Sequence, residues 1–375
     1  MNFKKRYFDN RLLYLFIALF VLAASLQTAC NKEAEQPPEG SSDYGKGVLI
    51  CNEGLFPNGA GSISFFNRQT KAVTNNLFET VNNRPLGNTV QSVHTHNNQT
   101  FIVVSNAGRV EVVNAANFTT LATIENLQLP RYFWGINNNK AYITQWGANG
   151  LTGSVQVLNL QTMQVTKTVP LSKGPEMMAQ AGNRIFIPCE GGYDFENYDN
   201  RVAVIDVLVD ELLTYIEVPD YPNSIVTDAN GFVWVLCGGI ITYNPDWTVN
   251  EMQSTKGALV KIDAAANAVA TVLEFPQVAT SGNLTVNAAG TVLYYDYNGQ
   301  IYAQSVTDNT LNTQPFIAHS YYGMAVDPQE NLLYGADAKD YQSNGSIVRH
   351  RLTDGAPVDT FTVGVIPNSG FFFSE

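Results

Sequence analysis

Charge is scarce in this chain, and positive charge is the scarcer kind. Only 14% of the residues are Asp, Glu, Lys or Arg, and 33 acidic residues stand against 21 basic ones. The first 29 positions hold four of the basic residues (Lys4, Lys5, Arg6 and Arg11) and one acidic residue (Asp9), so the remainder carries a formal charge of −15. That surplus argues against nucleic acid and against an anionic membrane surface as electrostatic partners. Histidine is limited to His94, His96, His319 and His350. None has a second ligand type at metal spacing, and there is no Cys-x-x-Cys or His-x-x-x-His, so no metal or cofactor is expected. A nucleophile elbow, a phosphate-cradling Gly loop and a paired-carboxylate motif are also missing, which points away from an enzyme. A site can also be assembled from loop residues scattered along a chain, so an enzyme stands as the alternative. Long apolar runs are absent except for the 13 residues Leu12–Ala24, too short and wrongly flanked to span a membrane.

What the chain does have is a repeat. The stretch Pro130 to Val169 divides into four short β runs separated by Asn- and Gly-rich turns, as in a meander of hairpins. Bulky residues at the matching position of the second run are Phe101, Tyr142, Phe186, Trp234, Tyr294 and Tyr334, spaced 41, 44, 48, 60 and 40 apart. Four strands per repeat at this period predict an all-β, seven-bladed β-propeller of four-stranded antiparallel blades. Blades are expected to begin near residues 47, 88, 130, 173, 220, 277 and 319. The pattern starts mid-blade at Gly47, and the missing innermost strand is at the other end, Ile366 to Phe373. The C-terminal strand is therefore expected to close the ring and remove its exposed edges.

Residues 1–29 read as a lipoprotein signal peptide and Cys30 as its lipidation site. Residues 30–44 are polar, acidic and rich in Pro, Gly and Ser, as in a flexible tether. Residues 45–375 form the propeller domain. The three later cysteines, Cys51, Cys189 and Cys237, each end a second strand. They read as small apolar side chains, with a Cys189–Cys237 bridge between neighbouring blades as the alternative. His94 and His96 share one face of their strand and are expected to pack against the next blade. Asp206, Asp263 and Asp327 are expected to cap turns.

Loops joining second to third strands, and loops joining blades, emerge on one face of a propeller, and here they are rich in aromatic residues. The candidate ligand-binding set is Trp146, Tyr193, Tyr198, Tyr243, Trp247, Tyr297, Tyr322 and Tyr341, interleaved with Glu53, Glu190, Asp296 and Asp340. The long loops of blades four and five are expected to rise as a wall. Such a face suits a bulky, partly apolar, hydrogen-bonding ligand.

Several segments resemble the YncE-like propeller lipoproteins of Gram-negative gut bacteria. They are Leu49-Ile50-Cys51-Asn52-Glu53-Gly54, Gly61 to Phe66, Pro130-Arg131-Tyr132, Ala141 to Trp146, Tyr321-Tyr322-Gly323-Met324 and Ala336 to Tyr341. The resemblance implies an outer-membrane, cell-surface lipoprotein that captures cobalamin or a related corrinoid without catalysis. It would pass the ligand to a TonB-dependent transporter. Against this stand a propeller lactonase or lyase, and a surface scaffold that binds glycan or protein.

Overall fold

Alternating short apolar runs and Asn/Gly turns leave the backbone little choice but hairpins, and that is what forms. A computed structural model describes residues 43–374. The signal segment, Cys30 and all but the end of the tether lie outside the described residues. Seven antiparallel sheets follow one another around a ring. Within each blade but the first, strands run outward from the axis in chain order, as in blade three: Pro130–Asn137, Lys140–Gln145, Ser154–Asn159 and Gln164–Pro170. The six repeat anchors all sit in second strands and are nearly or completely buried.

Neighbouring blades are joined by the side chains between them. Phe101 of blade two stacks on Phe133 of blade three at 3.9 Å. Trp134 donates from its indole to Gln180 of blade four. His94 lies among Phe133, Trp134 and Phe372, and His96 bonds the Asn137 carbonyl, so both histidines pack against the next blade.

The ring closes where the sequence predicts. Pro367–Phe373 pairs antiparallel with Val48–Asn52, placing Val48 opposite Phe373 and Ile50 opposite Phe371. The seam carries polar locks as well. Arg68 of blade one makes two hydrogen bonds to the fully buried carboxylate of Asp327 in blade seven, at 2.7 and 3.1 Å. Ser374 Oγ accepts from the Gly47 amide.

Three features differ from the simplest expectation. Blade six has three strands. Residues 306–316 hold Asp, Asn and Thr without alternation and contain Pro315, which has no amide to give a ladder. Only the Ile301–Ile317 bridge stands where a fourth strand would be. A six-residue helix, Leu77–Asn82, fills the junction of blades one and two and buries Leu77 and Phe78. Cys189 and Cys237, free and buried at their strand ends, are the small apolar side chains expected, and the alternative bridge does not form. Tyr44 belongs to the fold, packed edge-on against Phe65 and Phe118.

The two faces of the ring are unlike. On one, the third strand of blade after blade ends in an Asn or Asp whose side chain accepts from backbone amides of the turn. Asn67, Asn114, Asn159, Asp206 and Asp263 all do this. Asp327 does the same at the end of an innermost strand. These turns are tight because the side chain supplies the turn's acceptor locally. The opposite face carries the long loops.

Candidate functional site

The long loops build three connected features: a rim of exposed aromatics, a polar cup on the axis, and a groove leading outward over blades six and seven. Each depends on local chain geometry.

At the rim, the loop of blade five folds on itself. Ile240 and Thr255 exchange backbone bonds, and Asn244 N donates to Thr248 O. The resulting arm holds Trp247 at its tip, 83% exposed, with Tyr243 beside it at 6.5 Å. The loop of blade four leans the other way. Tyr193 N donates to Gly150 O of blade three, and Lys173 holds Asp194 at 2.6 Å. The other end of the same loop is bonded to blade five, Asp199 O accepting from Tyr221 N at 2.9 Å. Tyr198 turns inward, edge-on to Tyr221 at 4.8 Å. On the far side Tyr322 and Tyr341 meet edge-on at 5.4 Å, both substantially exposed.

Two of the eight aromatic candidates are placed differently from the rest. Trp146 is only 8% exposed; its indole donates to Glu176 Oε1 at 2.8 Å while the Arg131 guanidinium lies 4.2 Å above the ring. Tyr297 is 6% exposed, stacked on Phe275 with its hydroxyl tied to the Gln277 backbone. Neither presents a ring face to solvent. Tyr193, Tyr198, Tyr243, Trp247, Tyr322 and Tyr341 remain available on the loop face.

The cup is a cavity of about 290 Å³ to which all seven blades contribute. Its charged groups are Glu53, Arg131 and Glu190, with Glu176 just behind. Arg131 is fixed on three sides: Nε donates to Glu176 at 2.7 Å, Nη1 to Gln91 Oε1 at 2.6 Å, and the plane lies on Trp146. Glu53 accepts from Asn368 at 3.1 Å and from the Tyr322 hydroxyl at 3.3 Å. Glu190 has no hydrogen-bond donor and no cation within bonding distance among the described residues, whereas each of the other charged groups has one.

Burial raises the pKa of all three carboxyls. For Glu53, Asn368 and the charge of Arg131 oppose the rise; for Glu176, Arg131 opposes it strongly. For Glu190 the charge of Glu176 adds to burial, and the charge of Arg131 opposes both. The Tyr221 hydroxyl is pushed upward chiefly by the charge of Glu190. Both shifts follow from charges crowded into a low-dielectric space.

The groove, about 530 Å³, shares Gly282, Asn283 and Tyr322 with the cup and continues past Asp296, His319 and Lys339. Burial lifts Asp296 to about 6, against a hydrogen bond from Asn283. Among the described residues no three His, Cys, Asp or Glu converge to hold a metal ion.

In the sequence Glu53 and Glu190 stand out only as residues between aromatics, and Glu176 and Gln91 do not stand out at all. The available signal was a charged residue beside Pro where a blade begins: Pro130-Arg131 and Pro175-Glu176.

The ring is similar to solved propellers that share little sequence with it. One is a quinonprotein alcohol dehydrogenase-like protein of Bacteroides thetaiotaomicron, at 14% identity and a TM-score of 0.62, covering 89% of this chain and 79% of that one. Another is the periplasmic gluconolactonase of Pseudomonas aeruginosa, at 13% identity and 0.57, covering 88% and 99%. Hydrazine synthase of Kuenenia stuttgartiensis aligns at 13% identity and 0.57, covering 82% and 96%. Likeness at this identity establishes the fold alone. No curated protein matches the sequence. Residues 46–373, nearly the whole ring, match the model of a domain of unknown function, DUF5074, and the chain belongs to that family.

Proposed function

We propose that this protein is a non-catalytic binder whose ligand lies across the loop face, and that the ligand to test first is a corrinoid. The observation that carries the reading is the exposure of large aromatics on that face. Trp247, Tyr243, Tyr193, Tyr322 and Tyr341 are each more than 40% exposed around a polar centre. Aromatic side chains give large contact area with few rotors to freeze, and the amides and carboxylates between them suit a ligand with an amide-rich edge. Equilibrium titration of the purified protein with cobalamin, haem and a glycan panel tests this. Cobalamin should saturate at one per chain, and Trp247→Ala should weaken it by about 1–4 kcal/mol, the range of a hot-spot aromatic. No cobalamin binding would remove the ligand assignment.

The resemblance to surface lipoproteins supports the rest of the reading: a lipid on Cys30, an outer-membrane location and delivery to a TonB-dependent transporter. Cys30→Ala should release the protein from the membrane fraction, since each buried CH₂ of an acyl chain contributes about 0.8 kcal/mol to attachment. Unchanged fractionation would count against the anchor.

A second reading, a lactone-opening enzyme, draws on Glu190. A desolvated carboxyl with a raised pKa has the character of a general acid or base, and a gluconolactonase has a similar ring. Turnover of a sugar lactone that disappears in Glu190→Gln would favour it over the binder.

A further inference from the structure

The axial cup holds more negative charge than its own residues neutralise. Arg131 is its one cation, and Arg131 is committed. Its bonds to Glu176 and Gln91, and its seat on Trp146, keep it from swinging to Glu190 or Glu53. Glu53 is held by the amide of Asn368 and the hydroxyl of Tyr322, both neutral donors. Glu190 has neither.

The backbone at Glu190 is held in place. Its amide donates to Gly174 O at 2.9 Å, and the next amide, Gly191, donates to Lys173 O at 3.1 Å. Gly191 and Gly192 then take positive φ values of 114° and 61°, a turn that suits glycine and fixes where the chain goes. The chain is thus fixed where Glu190 lines the cavity. A half-buried carboxylate with no protein partner is a ready acceptor for a cation that enters the cavity.

We propose that the axial cup is a binding site for an organic cation, an alkylammonium group held between Glu190 and Glu53 and bounded by Tyr221 and Tyr322. The cavity has room for such a group, about 290 Å³. Tyrosines beside carboxylates are the surroundings that stabilise ammonium ions, through the ring quadrupole as well as the charge. A bare divalent ion is the poorer fit, since no three ligating side chains converge among the described residues. The site shares only Tyr322 with the aromatic rim, and its existence does not depend on what the rim binds.

The test is isothermal titration of the purified full-length protein with putrescine, agmatine and choline. Uncharged 1,4-butanediol is the control for shape. Runs at 0.3 M NaCl screen diffuse attraction to the acidic surface. Expected is saturable one-to-one binding of at least one of the three cations, with none of the diol. Glu190→Gln should weaken that binding tenfold or more, and Glu53→Gln should weaken it several-fold. Trp247→Ala, at the rim, should leave it unchanged. Tyr221→Phe keeps the ring and serves as a second cup variant should Glu190→Gln fold poorly; it should retain binding within threefold, while Tyr221→Ala loses it. Absence of saturable binding by all three cations would overturn the proposal. So would diol binding of equal strength, or unchanged affinity in Glu190→Gln. A cobalamin titration on the same variants reads the rim separately, so failure at one site is distinguishable from failure at the other.

Discussion

At the scale of single residues, exposure divides the aromatics into those that hold the ring and those that face outward. Trp146 is the instructive case. Its indole carries the Glu176 bond, and its face seats Arg131, so it positions the cup. Trp146→Ala should therefore lower the melting temperature, with a loss of about 3–5 kcal/mol as for other buried aromatic truncations. Trp247→Ala should stay within about 0.5 kcal/mol of the parent, as exposed substitutions do. Thermal melts of the two variants side by side check this; equal stabilities would contradict the assigned roles. The sequence could not separate the two tryptophans, because both lie in polar loops and nothing local reveals which loop folds back on a neighbour.

His94 gives a residue-scale prediction in pH. Burial, with a smaller push from His96, lowers its pKa from 6.5 to about 4. The groups around it are Phe133, Trp134 and Phe372, none of which can stabilise an imidazolium as a carboxylate would. A base whose pKa is depressed on folding contributes stability that is complete above its unfolded value and lost as pH falls through the folded one. The native state should thus lose up to about 3 kcal/mol between pH 6.5 and 4 through this group. Chemical denaturation at several pH values should show that limb in the parent and a flatter one in His94→Phe. An identical slope would refute the assignment.

At the scale of elements, strands with a buried bulky anchor and a Gly or Asn turn on either side were legible, and all six anchors lie where the spacing puts them. The exceptions have physical causes. The helix Leu77–Asn82 has two buried residues in a polar stretch, too few for a helical period to show. The missing strand of blade six lies in a segment whose lone Pro and many amides give no alternation. The polar lock between blades one and seven was not legible either, since Arg68 and Asp327 are 259 positions apart. Asp327 is fully buried, so Arg68→Ala would leave a carboxylate with only turn amides and a long bond from the Tyr334 hydroxyl, 3.4 Å, for partners. The expected loss is about 3 kcal/mol, the cost of removing one member of a buried pair. Arg68→Ala with Asp327→Asn should recover part of it. A double-mutant cycle by urea denaturation measures the coupling; a value near zero would show that the lock contributes nothing.

At the scale of the whole molecule, the fold was readable because each blade repeats the same local message. The cup was not, because its groups come from every blade and meet only when the ring closes. Glu53 and Asn368, bonded in the cup, are 315 positions apart. The same distance governs closure. Deleting residues 367–375 removes the inner neighbour of Val48–Asn52 and the Ser374 bonds to Gly47. The shortened chain should melt well below the parent or fail to fold; a matching melting temperature would show that the ring does not depend on this strand.

That borrowed strand also sets an order of events. Blades two to seven can each assemble from neighbouring sequence as the chain lengthens, but blade one waits for a partner from beyond all of them. Until residues 367–373 arrive, the ring is an open arc with a bare sheet edge at Val48–Asn52, the kind of edge that recruits strands from other molecules. Pairing across so long a stretch of chain is slow compared with making a hairpin. Substitutions in the last strand should therefore show first as lower folding yield and more aggregate, before any change in what the finished ring binds.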